Sequence, residues 1–299
     1  MTAPTIALVF TDLDNTLYDW VAWYSRAFHR MLDAASSRTK IPQDRLLREM
    51  QQLHCLRKRL EEPEALLHAP SIQQHFGSAD EARVALRSAF DSYYHASYSM
   101  GLHTYPGVRS TLQRLAALGV AVIGHTEAPA NHAVARLRAL GLEHAFVSLL
   151  AAPASVNDPT LGEPDIGNPP FPIRTLLPEE RKPNPDVLHQ LCAHIDVPPQ
   201  AALYVGDSLG RDVRMARAAG LWTAWARYGI HHDPRDWARV VEVSPWTAAQ
   251  RANARREEPG EGSQPDAVLQ ESFAELLTHF DFAPRRPYVP SAALELVAT

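Results

Sequence analysis

The sequence predicts an α/β protein with a doubly wound, mainly parallel sheet and an inserted helical domain. Two patterns support this fold class. In residues 108–226, short apolar runs alternate with stretches of helical periodicity, which is typical of parallel strands joined by helices. In residues 20–99, apolar positions recur at helical spacing and strand patterns are nearly absent, which indicates a helical module inserted after the first strand.

The first strand is predicted over residues 5–10, and the acidic sequence Thr11-Asp12-Leu13-Asp14 follows it. Further strands are predicted at 120–123, 145–151, 202–205 and 222–226, with helices at 108–118, 132–140, 185–195 and 211–219. A short edge strand at 267–269 and a capped helix at 272–280 complete the pattern. Ligands of such sheets bind beyond the carboxyl ends of the strands, so acids at those ends are candidate site residues.

We divide the chain into a core of residues 1–17 and 105–285, a helical module of residues 18–104, and a tail of residues 286–299. Two core segments, 153–180 and 230–264, interrupt the alternation. The first is rich in proline, and residues 251–264 have the charged, Gly- and Pro-containing character of a flexible surface excursion. Three roles are open for these segments: they cover the helical module, form a homodimer contact, or are surface loops without a function.

Composition excludes several classes of protein. The chain has 299 residues, 45% of them hydrophobic, which is enough for a sizeable globular core. Its net charge of -5 argues against binding to nucleic acid or to an anionic membrane surface, and no signal peptide or membrane-length apolar stretch is visible. Cys55 and Cys192 have no metal-ligand spacing and predict no disulfide framework, so we expect a soluble protein of the cytoplasm.

Asp12 and Asp14 lie two residues apart where the first predicted strand ends. A turn after the strand would let both face one cavity. A carboxylate can attack phosphorus and form an acyl phosphate if a cation screens its charge. A second carboxyl group can protonate the leaving oxygen and later deprotonate water. The alternative is that these acids only form a turn or a helix cap.

A second predicted strand, 202–205, also ends in acid, at Gly206-Asp207-Ser208 with Asp212 shortly after. Clustered carboxylates raise one another's pKa, and a hard cation with oxygen ligands relieves that repulsion. The sequence therefore predicts a Mg²⁺ site at these strand ends. The alternative for Asp212 is a helix N-terminal residue favoured by the helix dipole.

Lys182 and Thr126 are candidate phosphate-binding residues. Lys182 precedes Pro183 just before a predicted helix, and its ammonium could neutralise a phosphate and a nucleophilic carboxylate. Thr126 follows the strand at 120–123, where its hydroxyl and the next amides could bind phosphate oxygens. A single lysine or threonine is usually a surface residue, so both assignments depend on the neighbouring acids.

Taken in order, these segments resemble the four motifs of the haloacid dehalogenase superfamily. The motifs are Asp12-Leu13-Asp14-Asn15-Thr16, Thr126, Lys182-Pro183-Asn184-Pro185, and Gly206-Asp207-Ser208 with Asp212. The resemblance implies a Rossmann-like core with a helical cap of the C1 type. It also implies a Mg²⁺-dependent phosphomonoester hydrolase that acts on a small phosphorylated metabolite, such as a nucleotide, a sugar phosphate or phosphoglycolate, through an aspartyl phosphate.

The resemblance also implies roles for single residues. Asp12 would be the nucleophile, and Asp14 the general acid and base. Mg²⁺ would be bound by Asp12, by Asp207 and by the backbone carbonyl of Asp14. Three residues would hold the phosphoryl group: Thr126, Lys182 and Leu13.

Three further residues would support this site. Thr16 would steady the loop that carries the first two aspartates. Asp212 would bind the metal through water or position Lys182, and Ser208 belongs to the same motif. A phosphomutase would share Asp12 and Asp14 and stays open as an alternative. A dehalogenase is disfavoured by Asp14, and a non-catalytic scaffold by the presence of every acid.

Several other positions can be interpreted either as structural or as functional. Glu127 follows Thr126 where relatives often have asparagine; it either caps the next helix or meets a cationic group of the substrate, such as an amine. The aromatic residues near residue 20 are interpreted as core, and the basic run 57–59 as a solvated face. Substrate contact is the alternative for both sets; the aromatic set is Tyr18, Trp20, Trp23 and Tyr24.

Overall fold

The structure, a computed structural model, describes residues 4–155 and 166–284. The strands are β1 (Thr5–Ile6), β2 (Leu8–Thr11), β3 (Ala121–Pro129), β4 (Ser148–Ala152), β5 (Ile173–Thr175), β6 (Ala202–Gly206), β7 (Trp222–Ala226), β8 (Ala267–Leu269) and β9 (Asp281–Phe282). Within these ranges, seven strands form one parallel sheet in the order β5-β4-β3-β2-β6-β7-β8, and β1 pairs with β9 separately. The predicted parallel α/β class is confirmed.

A helical module follows β2 before the chain returns to the sheet. Its helices are α1 (Trp20–Thr39), α2 (Gln43–Arg57), α3 (Pro70–Phe76), α4 (Ala79–Ala85) and α5 (Arg87–Met100). The Asp19 side chain caps α1 by accepting a hydrogen bond from the Ala22 amide at 2.9 Å. Val21, Phe28 and Leu32 recur at helical spacing and are buried on one face of this helix. In the described part of the chain, no helix is both long and apolar enough to cross a membrane.

Both faces of the sheet are buried. The covering helices include α6 (Val108–Ala117), α7 (Ala130–Ala139), α8 (Asp186–His194) and α9 (Arg214–Ala218). Because successive strand residues point to opposite faces, Leu8 and Phe10 join an apolar cluster with Leu188, while Val9 joins a different cluster with Val134. A parallel strand buried on both sides has no polar face, which explains the continuous apolar sequence of β2.

The segment 230–264 packs on the helical module. It contains α10 (Pro234–Val243) and α11 (Ala248–Ala254), and α12 (Leu276–His279) follows β8. The Ser25 hydroxyl of α1 donates to Asp236 of α10 at 2.8 Å, and His54 Nδ1 of α2 lies 2.9 Å from the Val243 carbonyl oxygen. These buried contacts hold α10 against α1 and α2.

Two sequence expectations differ from the structure. The predicted excursion at 251–264 begins as helix α11, because Thr247 and Gln250 form a capping box that starts this helix. The segment 153–180, which was predicted to interrupt the alternation, contributes β5 at the edge of the sheet. Its prolines indicate a loop and so conceal this short strand. The predicted tail, 286–299, and residues 156–165 lie outside the described ranges.

Candidate active site

The central position of β2 brings the motif residues together. Thr11, the last residue of β2, pairs with Gly124 of β3 on one side and with Val205 of β6 on the other. The Asp12 amide continues this pairing by donating to the Val205 carbonyl at 2.8 Å. Asp12 and Asp207 therefore lie at one edge of the sheet, as their positions at strand ends predict. Thr126 lies within β3, which is longer than predicted, two residues beyond the last residue that pairs with β2.

Lys182 lies between two carboxylates. Its Nζ is 2.5 Å from Oδ1 of Asp12 and 2.8 Å from Oδ1 of Asp212, and all three side chains are buried. Burial alone would lower the pKa of Lys182, but the two carboxylates outweigh it and raise that pKa well above its usual value. Lys182 is therefore a fixed ammonium beside the candidate nucleophile.

Asp207 completes a cluster of three acids. One carboxylate oxygen from each of Asp12, Asp207 and Asp212 lies within 4.8 Å of the others. Burial, together with the charges of Asp12 and Asp212, raises the pKa of Asp207 well above its usual value. Burial also raises the pKa of Asp12 to about 7, although Lys182 opposes this effect.

The donor set of this cluster fits a divalent cation. Three carboxylates lie together, and two of them contact one ammonium group, that of Lys182, so the carboxylates outnumber the cation that contacts them. All three donors are oxygens, which Mg²⁺ prefers. The third carboxylate of the cluster belongs to Asp212, and the side chain of Asp14 is not part of it. The sequence predicted Asp14 as a ligand through its backbone carbonyl only.

Asp212 is positioned by the loop that follows β6. Residues Leu209–Val213 form a single π-helical turn, a feature common at functional sites. The Ser208 amide donates to Oδ2 of Asp212 at 3.0 Å. A Cβ atom on Gly206 would lie 2.5 Å from the Asp212 carboxyl carbon, so only glycine at position 206 leaves room for the Asp212 side chain. Both Asp212 oxygens are thus occupied, one by Lys182 and one by Ser208.

The turn after β2 is supported by two hydroxyl groups. Thr16 Oγ1 donates to Oδ2 of Asp12 at 2.9 Å, and Tyr228 OH donates to the Thr16 carbonyl at 2.8 Å. Asn15 has a φ of 61°, which lets the chain reverse after the two aspartates. The Leu13 side chain is fully buried, so any contact of Leu13 with phosphate would come from its backbone.

Asp14 faces the cavity between Thr126 and Arg136. Thr126 Oγ1 is 3.5 Å from Oδ2 of Asp14, and Arg136 Nη1 is 3.7 Å from its Oδ1. Burial raises the pKa of Asp14, and Arg136 only partly opposes this effect. A carboxyl group with a raised pKa holds its proton more readily, which suits a general acid.

An ion-pair network lies beside Asp14 and was not predicted from the sequence. Arg136 Nη1 donates to the two Glu61 oxygens at 3.0 and 3.1 Å, His132 Nδ1 lies 3.1 Å from Glu61 Oε2, and Trp20 Nε1 donates to Oε1 at 2.7 Å. Burial raises the pKa of Glu61, but Arg136 and His132 outweigh it and lower that pKa to about 2. His132 and Arg136 are four residues apart on one helix face, and this spacing was the available signal.

Glu127 makes a contact that neither of the two roles considered from the sequence anticipated. It lies within β3 and does not cap α7, whose N-cap is Pro129. Its Oε2 accepts a hydrogen bond from Arg211 Nη1 at 2.6 Å. The acid beside Thr126 is therefore neutralised by an arginine of the loop that carries Asp212.

One cavity of about 490 Å³ lies beside this acidic cluster. Asp12, Lys182 and Asp207 line it from the sheet, and Trp20 and the segment 58–62 line it from the helical module. The remaining aromatic residues of the sequence analysis are buried in the core, as interpreted: Tyr18, Trp23 and Tyr24. Within the basic run, Lys58 and Arg59 border the cavity, while Arg57 and Arg59 form ion pairs with Glu62.

Fold and site together define an α/β enzyme whose acidic centre lies at the carboxyl ends of a parallel sheet. The family model for haloacid dehalogenase-like hydrolases matches residues 6–220, and the chain belongs to this family.

Two curated relatives are phosphatases. The phosphoglycolate phosphatase of Pasteurella multocida (strain Pm70) is 29% identical over 154 residues, which are 52% of this chain and 58% of that protein. The glyceraldehyde 3-phosphate phosphatase of Methanopyrus kandleri is 26% identical over 237 residues, which are 76% of this chain and 87% of that protein. The chain thus spans little more than half the length of the first relative.

A solved structure shares the fold. The 2-haloacid dehalogenase of Pseudomonas syringae pv. Tomato DC3000 matches with a TM-score of 0.54 at 20% identity, over 92% of this chain and 97% of that chain. At this level of identity the likeness shows the fold alone.

Proposed function

We propose that this protein is a Mg²⁺-dependent phosphomonoester hydrolase that acts through an aspartyl phosphate on Asp12. The contact of Lys182 with Asp12 at 2.5 Å, beside the acidic cluster, carries the proposal. This arrangement offers a nucleophile, a fixed positive charge and a cation site within one cavity. Both relatives described above are phosphatases, which supports the same reaction class.

In the proposal, the metal is held by Asp12 and Asp207, with Asp212 nearby. When bound, Mg²⁺ supplies positive charge that screens the nucleophile from the phosphate. The backbone carbonyl of Asp14 stays our predicted third protein ligand. Asp212, whose oxygens already contact Lys182 and Ser208, serves chiefly to position Lys182.

The first chemical step transfers the phosphoryl group to the protein. An Asp12 carboxylate oxygen attacks phosphorus, and the bond between phosphorus and the leaving oxygen breaks. Asp14 donates a proton to that oxygen, so the alcohol leaves uncharged. Lys182 and the hydroxyl of Thr126 hold the phosphoryl oxygens during the transfer, with Leu13 contributing from its backbone.

The second step returns the protein to its starting state. A water molecule attacks phosphorus, and Asp14, now ionised, accepts the proton of that water. The bond between Asp12 and phosphorus breaks, and inorganic phosphate leaves. Thr16 keeps its hydrogen bond to the second Asp12 oxygen and so holds the carboxylate in place.

The helical module of residues 18–104 acts as a cap in this proposal. It contributes Trp20 and Glu61 to the cavity wall, opposite the strand ends. A cap that closes over the site excludes water other than the attacking molecule and adds contacts to the leaving group.

The test measures phosphate release from p-nitrophenyl phosphate and from glyceraldehyde 3-phosphate, with Mg²⁺ and with a chelator. We expect turnover that requires Mg²⁺ and that falls on the order of 10⁴-fold in Asp12→Asn, because the nucleophile is lost. Asp281→Asn, a matched change at an exposed acid of β9, should retain full activity.

Two results would contradict the proposal. One is Mg²⁺-dependent phosphate release that persists in Asp12→Asn, since it would place the nucleophile elsewhere. The other is the absence of phosphate release from every phosphomonoester while a phosphate group moves between positions of one sugar, which would indicate a phosphomutase.

A further inference from the structure

A row of aromatic rings borders the cavity that contains Asp12. Trp20, Trp246, Trp237 and His232 all line this cavity. Ring centroids are 6.3 Å apart from Trp20 to Trp246, 5.8 Å from Trp246 to Trp237, and 5.3 Å from Trp237 to His232. The last pair is stacked with an interplanar angle of 6°. The four rings therefore pack on one another and form one aromatic wall. Within it, His232 covers one face of Trp237, and the Arg255 guanidinium carbon lies 5.7 Å from the centroid of the Trp237 ring, whereas Trp246 is tilted to both of its neighbours.

The aromatic wall is built by two parts of the chain that are far apart in sequence. Trp20 begins α1, whereas the other three rings come from residues 232–246. The contact between Ser25 and Asp236 at 2.8 Å fixes α10 against α1 and so fixes the two parts of the wall relative to each other. A wall held in this way is preorganised for binding.

Part of this aromatic surface is open to the cavity. Trp237 and Trp246 are only half-buried although each packs against the core. The face of a large aromatic ring packs favourably against another planar group, in a stacked or tilted arrangement. Burial, with Arg255 and His231 nearby, lowers the pKa of His232 to about 4, so its ring is uncharged at neutral pH.

The charges of the cavity do not favour a small acidic leaving group. Two arginines that line the cavity are paired, Arg59 with Glu62 and Arg211 with Glu127. Each of these cations is already neutralised by a carboxylate of the protein. Lys58 and Arg181 also border the cavity, but both are exposed to solvent, where water screens a charge.

Polar groups suited to the edge of a heterocycle lie beside the aromatic wall. Gln250 and Asn253 of α11 line the cavity. The Gln250 oxygen accepts from the Thr247 amide at 2.8 Å, while its NH₂ group is not used in that bond. Asn253 reaches the loop after β6, where a Cβ atom on Gly210 would lie 2.4 Å from its Oδ1. Amide side chains offer both donors and acceptors.

From these observations we infer that the aromatic wall binds a planar heterocyclic ring, and that the substrates are phosphomonoesters of the nucleoside type. This inference rests on the proposed phosphatase function and names its substrate class. The cavity volume of about 490 Å³ lies within the range of ~300–1,000 Å³ that is typical of sites for drug-sized ligands. A leaving group of two or three carbons would leave the aromatic wall uncovered.

The test compares a nucleotide with the same molecule lacking its base. kcat/KM is measured for adenosine 5′-monophosphate, uridine 5′-monophosphate and ribose 5-phosphate. We expect at least one nucleotide to be preferred over ribose 5-phosphate by about tenfold or more, because stacking of a base on an aromatic side chain strengthens binding by this order. In Trp246→Leu the preference should fall towards one.

A matched control is Trp222→Leu, which removes a half-buried tryptophan of β7 that does not line the cavity. It should retain the preference of the wild type. Thermal unfolding of both variants reports whether each is folded, and Trp237→Leu provides a second change within the aromatic wall. The inference is wrong if neither nucleotide is preferred over ribose 5-phosphate, or if both wall variants leave that preference unchanged.

Binding separates this inference from the proposed function. In Asp12→Asn, which cannot form the aspartyl phosphate, titration with adenosine 5′-monophosphate should quench tryptophan fluorescence, and ribose 5-phosphate should not. Quenching without any phosphatase activity in the wild type would overturn the proposed function and support the aromatic site. Phosphatase activity without quenching would overturn the aromatic site alone.

Discussion

Glu61 and Arg136 join the helical module to the core at the edge of the cavity that contains Asp12. Arg136 Nη1 donates to both oxygens of Glu61, at 3.0 and 3.1 Å, and the same nitrogen lies 3.7 Å from Oδ1 of Asp14. The Arg136 side chain is fully buried. Removing one member of such a pair leaves a buried charge without a partner. The contact therefore links the position of the helical module to the charge beside Asp14.

We expect Glu61→Gln to lower the free energy of unfolding by about 3 kcal/mol at pH 7, because Arg136 loses its main partner. The pKa of Glu61 is lowered to about 2 in the folded protein from its ordinary value of 4.5. A lowered pKa gives stability that is present above the unfolded value and is lost as pH falls towards the folded value. The difference between variant and wild type should therefore shrink between pH 4.5 and pH 2, as measured by urea unfolding.

Asp80→Asn is the control for this experiment. Asp80 forms an ion pair with Arg83 at 3.0 Å, but its side chain is 91% exposed. Exposed pairs contribute between about 0 and 1 kcal/mol, so the control should behave like the wild type at each pH. A difference for Glu61→Gln that is independent of pH would contradict the assigned ion pair.

We expect Asp207→Asn to have opposite effects on stability without and with Mg²⁺. Without metal, the variant should be more stable than the wild type, because one of three carboxylates within 4.8 Å of one another loses its charge. A saturating ligand at 100 times its Kd stabilises by about 2.7 kcal/mol, and most of this gain should be lost in the variant. Thermal unfolding over a Mg²⁺ titration measures both effects.

For the Mg²⁺ titration, Asp91→Asn is a suitable comparison, since Asp91 is a partly exposed acid of α5. It should respond to Mg²⁺ as the wild type does. An equal response of wild type and Asp207→Asn would exclude Asp207 as a ligand.

We expect Glu127→Gln to leave the ratio of kcat/KM for a phosphorylated amino alcohol to that for its uncharged analogue unchanged within about twofold. Glu127 is neutralised by Arg211 at 2.6 Å and has no free charge for a substrate amine. Both side chains are partly exposed, so the loss of stability should stay below about 1 kcal/mol. Steady-state kinetics on the two substrates checks this; a selective loss for the amine would restore the substrate-binding role.

We expect Gly229→Ala to impair catalysis without contacting the substrate. A Cβ atom on Gly229 would lie 1.8 Å from the Asn15 carbonyl oxygen, so the turn that carries Asp14 and Thr16 must move. Overpacking of this kind costs about 1–3 kcal/mol, and a shift of about 1 Å at a catalytic group can lower the rate on the order of 100-fold. The measurements are kcat and the free energy of unfolding.

Gly262→Ala provides the comparison for Gly229→Ala. Gly262 has a φ of 70° and no atom within 4 Å of an added Cβ, so it should lose about 1 kcal/mol of stability from backbone strain alone. Its kcat should equal that of the wild type. Full activity in Gly229→Ala would show that the turn tolerates displacement.

The sequence predicted the parallel sheet and the place of its acids. Alternation of strand and helix patterns determines a parallel arrangement, and parallel strands have their carboxyl ends at one edge. Asp12 and Asp207 follow two such strands, so their proximity could be predicted without coordinates. The short strand β5 could not, because it lies in a proline-rich segment whose composition indicates a loop.

Only the tertiary structure decided which side chains surround this acidic centre. Glu61 and Arg136 are 75 residues apart, and their contact depends on how the helical module lies on the core. The aromatic wall likewise needs Trp20 and Trp246 to meet from separate segments. Local periodicity determines which face of a helix is apolar but not which distant element covers it, and that choice is made by packing of the whole chain.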